Sequence, residues 1–217
     1  MLKHPPKGQA LRQLITEKMH VERQALRLSS PAVRQRYDHA WAPVQHLEKV
    51  LCPCPEGLLR WWAESPRGHL ILTHLPSHYA EGPQAVRKEL VENVAYVCLN
   101  DLLRDPQIAL RAVASLLDHL MGSHGAPQGR WLSDGAGVIP ALEDVGQKVR
   151  EYATLGYLVD VVEITDSREY FEAAFTMYLT NRRDLRVADP RIEKLLHTTI
   201  LSESFWRRIA PTLPHTD

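Results

Sequence analysis

The sequence predicts a mostly helical α+β fold in which a small sheet accompanies many helices. Long segments repeat apolar residues at the three- and four-residue spacing of amphipathic helices, whereas two short runs, 68–75 and 94–99, have the composition of strands. Apolar residues make up 44% of the 217 residues and charged residues 24%, the balance of a globular chain that buries its own core. We therefore expect a folded protein over most of its length.

The N-terminal part of the chain predicts a pair of helices. Apolar residues recur at helical spacing across residues 9–28, and a second helical segment runs from Pro31 to about Leu51. Ser30 is suited to cap the second helix, because a serine side chain there can accept a hydrogen bond from a free amide of the first turn. Residues 1–51 are therefore interpreted as an N-terminal helical extension, and residues 52–217 as the main domain.

The main domain begins with short elements and continues as helices. Before residue 106 the predicted order is a strand at 68–75, a helix at 83–93, a strand at 94–99 and a turn at 101–105. Asp105 caps and Pro106 opens a strongly amphipathic helix that ends at Gly122, and a loop rich in glycine and proline follows to residue 140. Residues 157–164 fit either a strand or a loop. Further helices are predicted at 141–155, at 168–185 with Asp166–Ser167 as the cap, at 191–201 opened by Asp189–Pro190, and at 203–210.

Charge and cysteine usage exclude several classes of protein. The chain has 26 basic and 26 acidic residues, so its bulk charge favours binding neither to nucleic acid nor to a membrane surface. Three cysteines do not make a disulfide framework. No N-terminal apolar leader and no run of about 18 apolar residues is present, so we expect a cytoplasmic protein without a membrane span.

Two segments contain the residues that could act in catalysis or bind a metal ion. The first is Ala114–Gly125, which reads ASLLDHLMGSHG, and the second is Ser167–Tyr178, which reads SREYFEAAFTMY. A strand precedes the first segment and a glycine-rich loop separates the two. This order resembles the zincin metallopeptidases, and within them the family of the anthrax-lethal-factor catalytic domain, in which a helix reads L-H-E-x-G-H and a later helix begins E-F-F-A-E-A-F. The resemblance covers roughly residues 94–210 and implies a zincin-like fold around a zinc ion.

The second segment matches the family better than the first. By the resemblance Glu169 is the third zinc ligand, while Glu172 stands one residue before the family's second glutamate, so that residue's role does not transfer. An active zincin helix needs two histidines four residues apart, with a glutamate after the first as general base. His119 is instead followed by Leu120, and Ser123 stands four residues on. The catalytic motif is therefore degenerate.

Several ligand sets remain open for the first segment. His124, five residues after His119, reaches the same site if the chain curls back after Gly122. A second register makes Asp118 and Gly122 the ligands with His119 as base, and a third places His124 on the second histidine and Leu120 on the first. The candidate metal ligands, for a zinc ion, are His119, His124 and Glu169. Asp118 is the candidate catalytic residue, as a substitute general base.

Each of these residues also has an ordinary structural interpretation. Glu169 is favourable near a helix N-terminus because the helix dipole stabilises a carboxylate there. His119 is as readily a histidine bonded to a neighbouring acceptor, and His124 in a glycine-rich loop a surface residue. Three functional hypotheses follow: a degenerate zincin that acts through binding an unidentified protein or peptide, an active zinc hydrolase that uses Asp118, or an unrelated helical scaffold. The sequence leaves the oligomeric state undetermined.

Overall fold

A computed structural model of the chain describes residues 8–39, 41–86, 89–158 and 164–213. The predicted α+β class, mostly helical with a small sheet, is confirmed. The helices are α1 (Gln9–Lys18), α2 (Ala25–Leu28), α3 (Pro31–Arg36), α4 (Ala42–Leu51), α5 (Glu56–Glu64), α6 (Leu99–Arg104), α7 (Pro106–Ser123), α8 (Pro140–Leu155), α9 (Ser167–Ala188), α10 (Pro190–Thr198) and α11 (Glu203–Ile209), and a 3-10 turn follows at Ala210–Thr212. Among these described helices, none combines the length and the apolar character that crossing a membrane requires.

The described strands form one mixed sheet of four. They are β1 (Met19–Val21), β2 (His69–Thr73), β3 (His78–Val86) and β4 (Glu89–Cys98), and their order across the sheet is β1-β2-β4-β3. β1, β2 and β4 are parallel, whereas β3 returns antiparallel to β4. On one face Leu70 and Leu72 belong to the main core together with the apolar residues of α7. On the other face Ile71, Val94 and Val86 form a smaller apolar cluster.

The prediction of an N-terminal helical pair is wrong in its details. The helix predicted over 9–28 ends at Lys18, because residues 19–21 pair with β2 as the edge strand β1. The alternation of Met19 and Val21 fits a strand as well as a helix, and the neighbouring strand decided between them. The second predicted helix is divided into α3 and α4.

The N-terminal segment does not stand apart from the rest of the described chain. Leu14 of α1 and Leu47 of α4 are completely buried, in the same core cluster as Trp62 and Phe175. Residue 51 is therefore not a boundary of the hydrophobic core. In this respect the segment is part of the fold and not an appendage that packs on it.

Two further expectations about local structure are wrong. Residues 83–93 are predicted to be helical, but 83–86 belong to β3 and 89–93 to β4, and half-buried and exposed residues alternate along the end of β3. The expected turn at 101–105 lies largely in α6. Short polar segments of this kind have weak intrinsic preferences, so pairing with a neighbour decides their conformation.

The predicted helix starts are confirmed where an aspartate or a serine provides the cap. Asp105, Asp166 and Asp189 each accept hydrogen bonds from amides of the first turn, in α7, α9 and α10. Ser30 caps α3 in the same way. The strand predicted at 68–75 is present as β2, and the one at 94–99 as the end of β4. The alternatives for 157–164 fall mainly on residues 159–163, which lie outside the described residues, as do residues 1–7 of the expected tail.

Asn93 connects the hairpin to the end of α7. It lies in β4 with a left-handed backbone, φ 58°, opposite an irregularity of β3 between Ala80 and Pro83. Its side-chain oxygen accepts hydrogen bonds from the Tyr79 hydroxyl, at 2.9 Å, and from the Gly82 amide, at 3.2 Å. Its side-chain nitrogen donates to the backbone carbonyl of Gly125, just beyond α7. One buried amide therefore fixes both the bulge and the loop that follows α7.

Gly125 and Gly82 provide a matched pair that tests this connection. Both have positive φ, but a Cβ at Gly125 would lie 2.1 Å from the Asn93 side-chain nitrogen, whereas a Cβ at Gly82 meets nothing within 4 Å. Gly82→Ala is expected to lower the free energy of unfolding by about 1–2 kcal/mol, the cost of a left-handed backbone. Gly125→Ala should cost at least about 1 kcal/mol more, because it also displaces Asn93. Urea denaturation of both variants measures the difference, and equal losses would contradict the proposed role of Asn93.

Candidate functional site

His119 lies in the last turns of α7 and is enclosed by aromatic residues. Its side chain is 0% exposed. The imidazole stacks on the indole of Trp131, with ring centroids 4.9 Å apart and planes 10° apart, and meets the Tyr79 ring edge-on at 6.0 Å. Trp131 comes from the loop after α7 and Tyr79 from β3, so three separate parts of the chain build this pocket.

The hydrogen bonds of Tyr79 assign the proton of His119. The Tyr79 hydroxyl lies 2.8 Å from Nδ1 of His119, and it donates its only proton to Asn93. With that proton directed to Asn93, Nδ1 donates to Tyr79 and Nε2 carries the lone pair of the neutral imidazole. Burial lowers the pKa of His119, and the carboxylate of Glu81 partly offsets that effect. His119 is consequently held in its neutral form.

Nε2 of His119 is a buried polar atom without a hydrogen-bond partner among the described residues. Such atoms are uncommon in folded proteins because leaving one unpaired costs free energy. An unpaired, unprotonated imidazole nitrogen is chemically able to accept a proton or to bind a metal ion. This atom is the one feature of the site that retains the chemistry expected of a zinc ligand.

Trp131 also contacts Arg168, at the start of α9. The guanidinium carbon of Arg168 lies 4.3 Å from the centroid of the indole ring, a cation–π contact. Arg168 donates to a carboxylate oxygen of Asp134 at 2.9 Å, within the same loop as Trp131. The loop after α7 is thereby tied to the N-terminal turn of α9, and the two predicted chemical segments meet around His119.

Asp118 is buried on another side of α7 and holds the same loop. Its side chain is 0% exposed, and its two oxygens accept hydrogen bonds from the Ser133 amide, at 2.8 Å, and the Ser133 hydroxyl, at 2.6 Å. Burial raises the pKa of Asp118 to about 8, because a charge is disfavoured in the low-dielectric core, although the bonds from Ser133 oppose the shift. This carboxyl group therefore has a structural position, away from solvent water.

His124 ends α7 and faces a different neighbour. Its backbone is left-handed, φ 54°, and its amide donates to the Leu120 carbonyl at 2.8 Å, as at many helix C-termini. The imidazole packs 6.4 Å from the ring of Trp61 in α5, whereas the neighbours of His119 are Tyr79 and Trp131. The expectation that the chain curls back to bring the two imidazoles together is therefore not met.

Glu169 occupies the first turn of α9 and closes the start of that helix. One oxygen of its carboxylate accepts hydrogen bonds from the amide and the hydroxyl of Thr165, at 2.7 and 2.8 Å. This arrangement is close to a capping box, in which a glutamate in the first turn satisfies an amide that precedes the helix. Glu172, one turn later, is the residue that reaches α7, where it accepts a hydrogen bond from Ser115. Burial raises the pKa of Glu172.

The described residues do not form the metal centre implied by the resemblance. Among them, no group of three or more histidine, cysteine, aspartate or glutamate side chains is arranged to hold a metal ion. His119 uses Nδ1 for Tyr79, His124 packs on Trp61, and Glu169 is bonded to Thr165. These side chains therefore do not fit a zinc ion as one ligand set, and zinc binding stays a prediction.

The sequence predicted α7 and singled out Asp118 and His119, but it did not predict the residues that contact these two side chains. Asn93 leaves a weak signal, since it is a polar residue inside the apolar run of β4. Trp131 is an apolar residue in a loop otherwise rich in glycine and proline. Tyr79 and Ser133 leave no sequence signal, because their partners His119 and Asp118 are 40 and 15 residues away along the chain.

The raised pKa of Asp118 predicts a pH dependence of stability. The native state holds the proton of Asp118 more tightly than the unfolded chain, in which an aspartate titrates at about 3.9. This stabilisation is complete below about pH 4 and is lost as the pH rises through about 8. Relative to an Asp118→Asn variant, the free energy of unfolding of the wild type should therefore fall by more than about 1 kcal/mol between pH 5 and 8. Urea denaturation at several pH values measures both profiles, and parallel profiles would contradict a buried, titrating Asp118.

Comparison with known proteins found no match. No protein-family model matches it, no curated protein sequence matches it, and no solved structure matches it. The resemblance to the lethal-factor family thus rests on the two segments and on the order of elements alone, and it stays a prediction.

Proposed function

We propose that this protein is a non-hydrolytic binding protein of the cytoplasm, with a zincin-like fold that recognises a protein or peptide partner. The observation that supports this most is the burial of both Asp118 and His119. Each is 0% exposed, and each is already bonded to a neighbour, Asp118 to Ser133 and His119 to Tyr79. The acid and the base on α7 therefore stabilise the fold instead of meeting a substrate.

The chemistry of zinc hydrolases explains why this arrangement argues against hydrolysis. Such enzymes hold the metal with three protein ligands, leave one position for water, and place a carboxylate beside that water as general base. In this chain Ser123 stands where the second histidine is needed, and Leu120 stands where the base is needed. Asp118 cannot replace that base, because Ser133 occupies its carboxylate inside the core. A binding role requires none of these groups.

An active zinc hydrolase is the alternative, and one observation favours it. Nε2 of His119 has no hydrogen-bond partner among the described residues, so its lone pair is available to a metal ion. Glu169, only half-buried at the start of α9, would be its partner ligand under this alternative.

Metal content and hydrolysis together separate the two functions. Protein purified without a polyhistidine tag is analysed for zinc by elemental mass spectrometry and assayed on unfolded casein, next to a Glu169→Ala variant. Glu169 lies near the surface, so this variant is expected to fold, which circular dichroism checks. We expect well under one zinc ion per chain and no zinc-dependent cleavage in either protein. Stoichiometric zinc that is lost in Glu169→Ala, together with cleavage that is also lost, would establish the hydrolase instead.

The free edge of β3 is the surface that best suits an extended peptide. Within the described chain, β3 pairs with β4 and with no other strand. Val86 pairs with Glu89, so only two residues join the strands. In a hairpin with such a short connection, the two residues of the closing pair exchange backbone hydrogen bonds with each other. The next pair, Ala85 with Leu90, is therefore of the other type, and the amide and carbonyl of Ala85 point away from β4.

The position of Pro83 agrees with the assignment that alternate residues of β3 point their backbone groups away from β4. It occupies the next outward-facing position of β3, opposite Glu92, where the N–H that proline lacks is not needed by the sheet. The outward groups of β3 are thus available to a strand from a partner, in the manner of strand addition to an open sheet edge. Proline and the bulge at Ala80–Pro83 limit uncontrolled pairing at the same edge.

Substitution of Ala85 tests whether a partner adds a strand there. Peptides selected against the full chain from a random display library are measured by fluorescence anisotropy with the wild type, Ala85→Pro and Ala85→Thr. Proline removes the outward N–H, so we expect the Kd to rise about tenfold, the loss of one or two hydrogen bonds. Threonine keeps the N–H and favours strands, so its Kd should stay within about twofold of the wild type. Equal affinity for all three proteins, or no selected peptide, would refute strand addition at β3.

A further inference from the structure

A groove between α8 and α10 gathers positive charge on one face of the molecule. It is an open groove with a volume of about 500 Å³. Its polar lining consists of three cations, Lys148, Arg191 and Lys194, one carboxylate, Glu151, and two hydroxyl residues, Tyr152 and Thr198. The apolar side chain of Leu195 completes the lining. This groove is separate from His119 and from β3, and none of its residues belongs to the site described above.

Helical spacing explains why these side chains converge. Lys148 and Tyr152 stand four residues apart on α8, and Arg191 and Lys194 three residues apart on α10, so each helix presents its residues on a single face. Leu142, Val149 and Ile192 bury the opposite sides of the same helices in the core. The lining residues of the groove are thus held by packed helices and not by mobile loops.

The three cations of the groove have no ion-pair partner among the described residues. In contrast, Arg182 and Arg186 of α9 both pair with the buried carboxylate of Glu193. Arg191 makes a long contact with the ring of Tyr157, at 5.4 Å, and this ring contact does not use the hydrogen-bond donors of its guanidinium. Glu151 supplies one negative charge against three positive charges. Like charges held together repel one another, so this arrangement is suited to an anionic ligand.

We propose that this groove binds a small phosphate monoester. A monoester carries close to two negative charges at neutral pH, which matches the excess positive charge of the lining. The planar fork of Arg191 can donate two parallel hydrogen bonds to phosphate oxygens, and the lysines act as point charges on either helix. The ring of Tyr152 and the side chain of Leu195 form the surface against which the organic part of the ligand packs. The volume lies within the range of small-molecule sites.

Glu151 restricts which groups the organic part of the phosphate monoester can carry. Its carboxylate faces the same groove and accepts hydrogen bonds only, so a ligand with a hydroxyl or ammonium group near the phosphate is favoured. A free metabolite and a phosphoserine of a protein share this chemistry. The open groove, with a volume of about 500 Å³, has the size of a small-molecule site, and we assign it to a free small molecule. The proposal is independent of whether the protein hydrolyses peptides or binds them.

Calorimetric titration of the full chain tests the site with four probes: O-phosphoserine, phenyl phosphate, inorganic phosphate and uncharged serine. We expect saturable binding of both monoesters, weaker binding of inorganic phosphate and no binding of serine. Equal affinity for inorganic phosphate and for the monoesters would overturn the recognition of an organic part. Tighter binding of a phosphoserine peptide than of O-phosphoserine would overturn the assignment to a small molecule.

Charge-matched variants decide whether the groove is responsible. Arg191→Gln and Lys194→Gln should each weaken O-phosphoserine binding about tenfold, because each loses a charge-assisted hydrogen bond. Arg183→Gln removes the same charge from an exposed position of α9 outside the groove, so its effect should stay within about twofold, the reach of unspecific electrostatics. All three side chains are exposed, so the variants are expected to fold. Equal weakening by Arg183→Gln, or no saturation for the wild type, would overturn the proposal.

Discussion

The structure depends on buried hydrogen bonds around the C-terminal end of α7. Asn93 ties the β3–β4 hairpin to Gly125, and Asp118 ties the following loop to Ser133. Both side chains are almost completely buried. Loss of one of these hydrogen bonds would therefore cost free energy, because water cannot reach the polar group that is left unpaired. The hairpin, the loop and the helix are consequently positioned together, and the surroundings of His119 follow from that positioning.

The presence of catalytic residue types at this end of α7 does not mean that they act in catalysis. A histidine and an aspartate adjacent on a helix suggest catalysis, yet adjacent residues of a helix point about 100° apart, and here they serve two different buried networks. The network of His119 leads to Tyr79 and Asn93, and that of Asp118 to Ser133. Catalysis requires groups that converge on a reacting atom. Only the unpaired Nε2 of His119 keeps that possibility within this part of the chain.

Surfaces suited to binding lie elsewhere on the molecule. β3 offers backbone groups on its free side, and the groove between α8 and α10 offers unpaired positive charge. The first suits an extended peptide and the second a small anion, because backbone hydrogen bonds and concentrated charge select different ligands. The groove is formed by helices that bury their other sides in the core, whereas β3 carries Tyr79, the hydrogen-bond partner of His119.

Local sequence patterns predicted the class of the fold and most of the helix boundaries after residue 105. Asp105, Asp166 and Asp189 marked helix starts correctly, because a cap is a contact between residues two or three positions apart and is therefore written in the local sequence. The strand at β2 and the amphipathic helix α7 were also visible, since their apolar periodicity is long and regular.

Only the tertiary structure decided the rest. Residues 19–21 form a strand because they pair with β2, and residues 83–86 and 89–92 form strands because they pair with each other. The meaning of His119 and Asp118 was likewise decided by Tyr79 and Ser133, which reach them through space. Local patterns fix the conformations that a segment can adopt with its own neighbours. Burial and partner choice depend on residues that are distant in the chain, so they emerge only when the chain has folded.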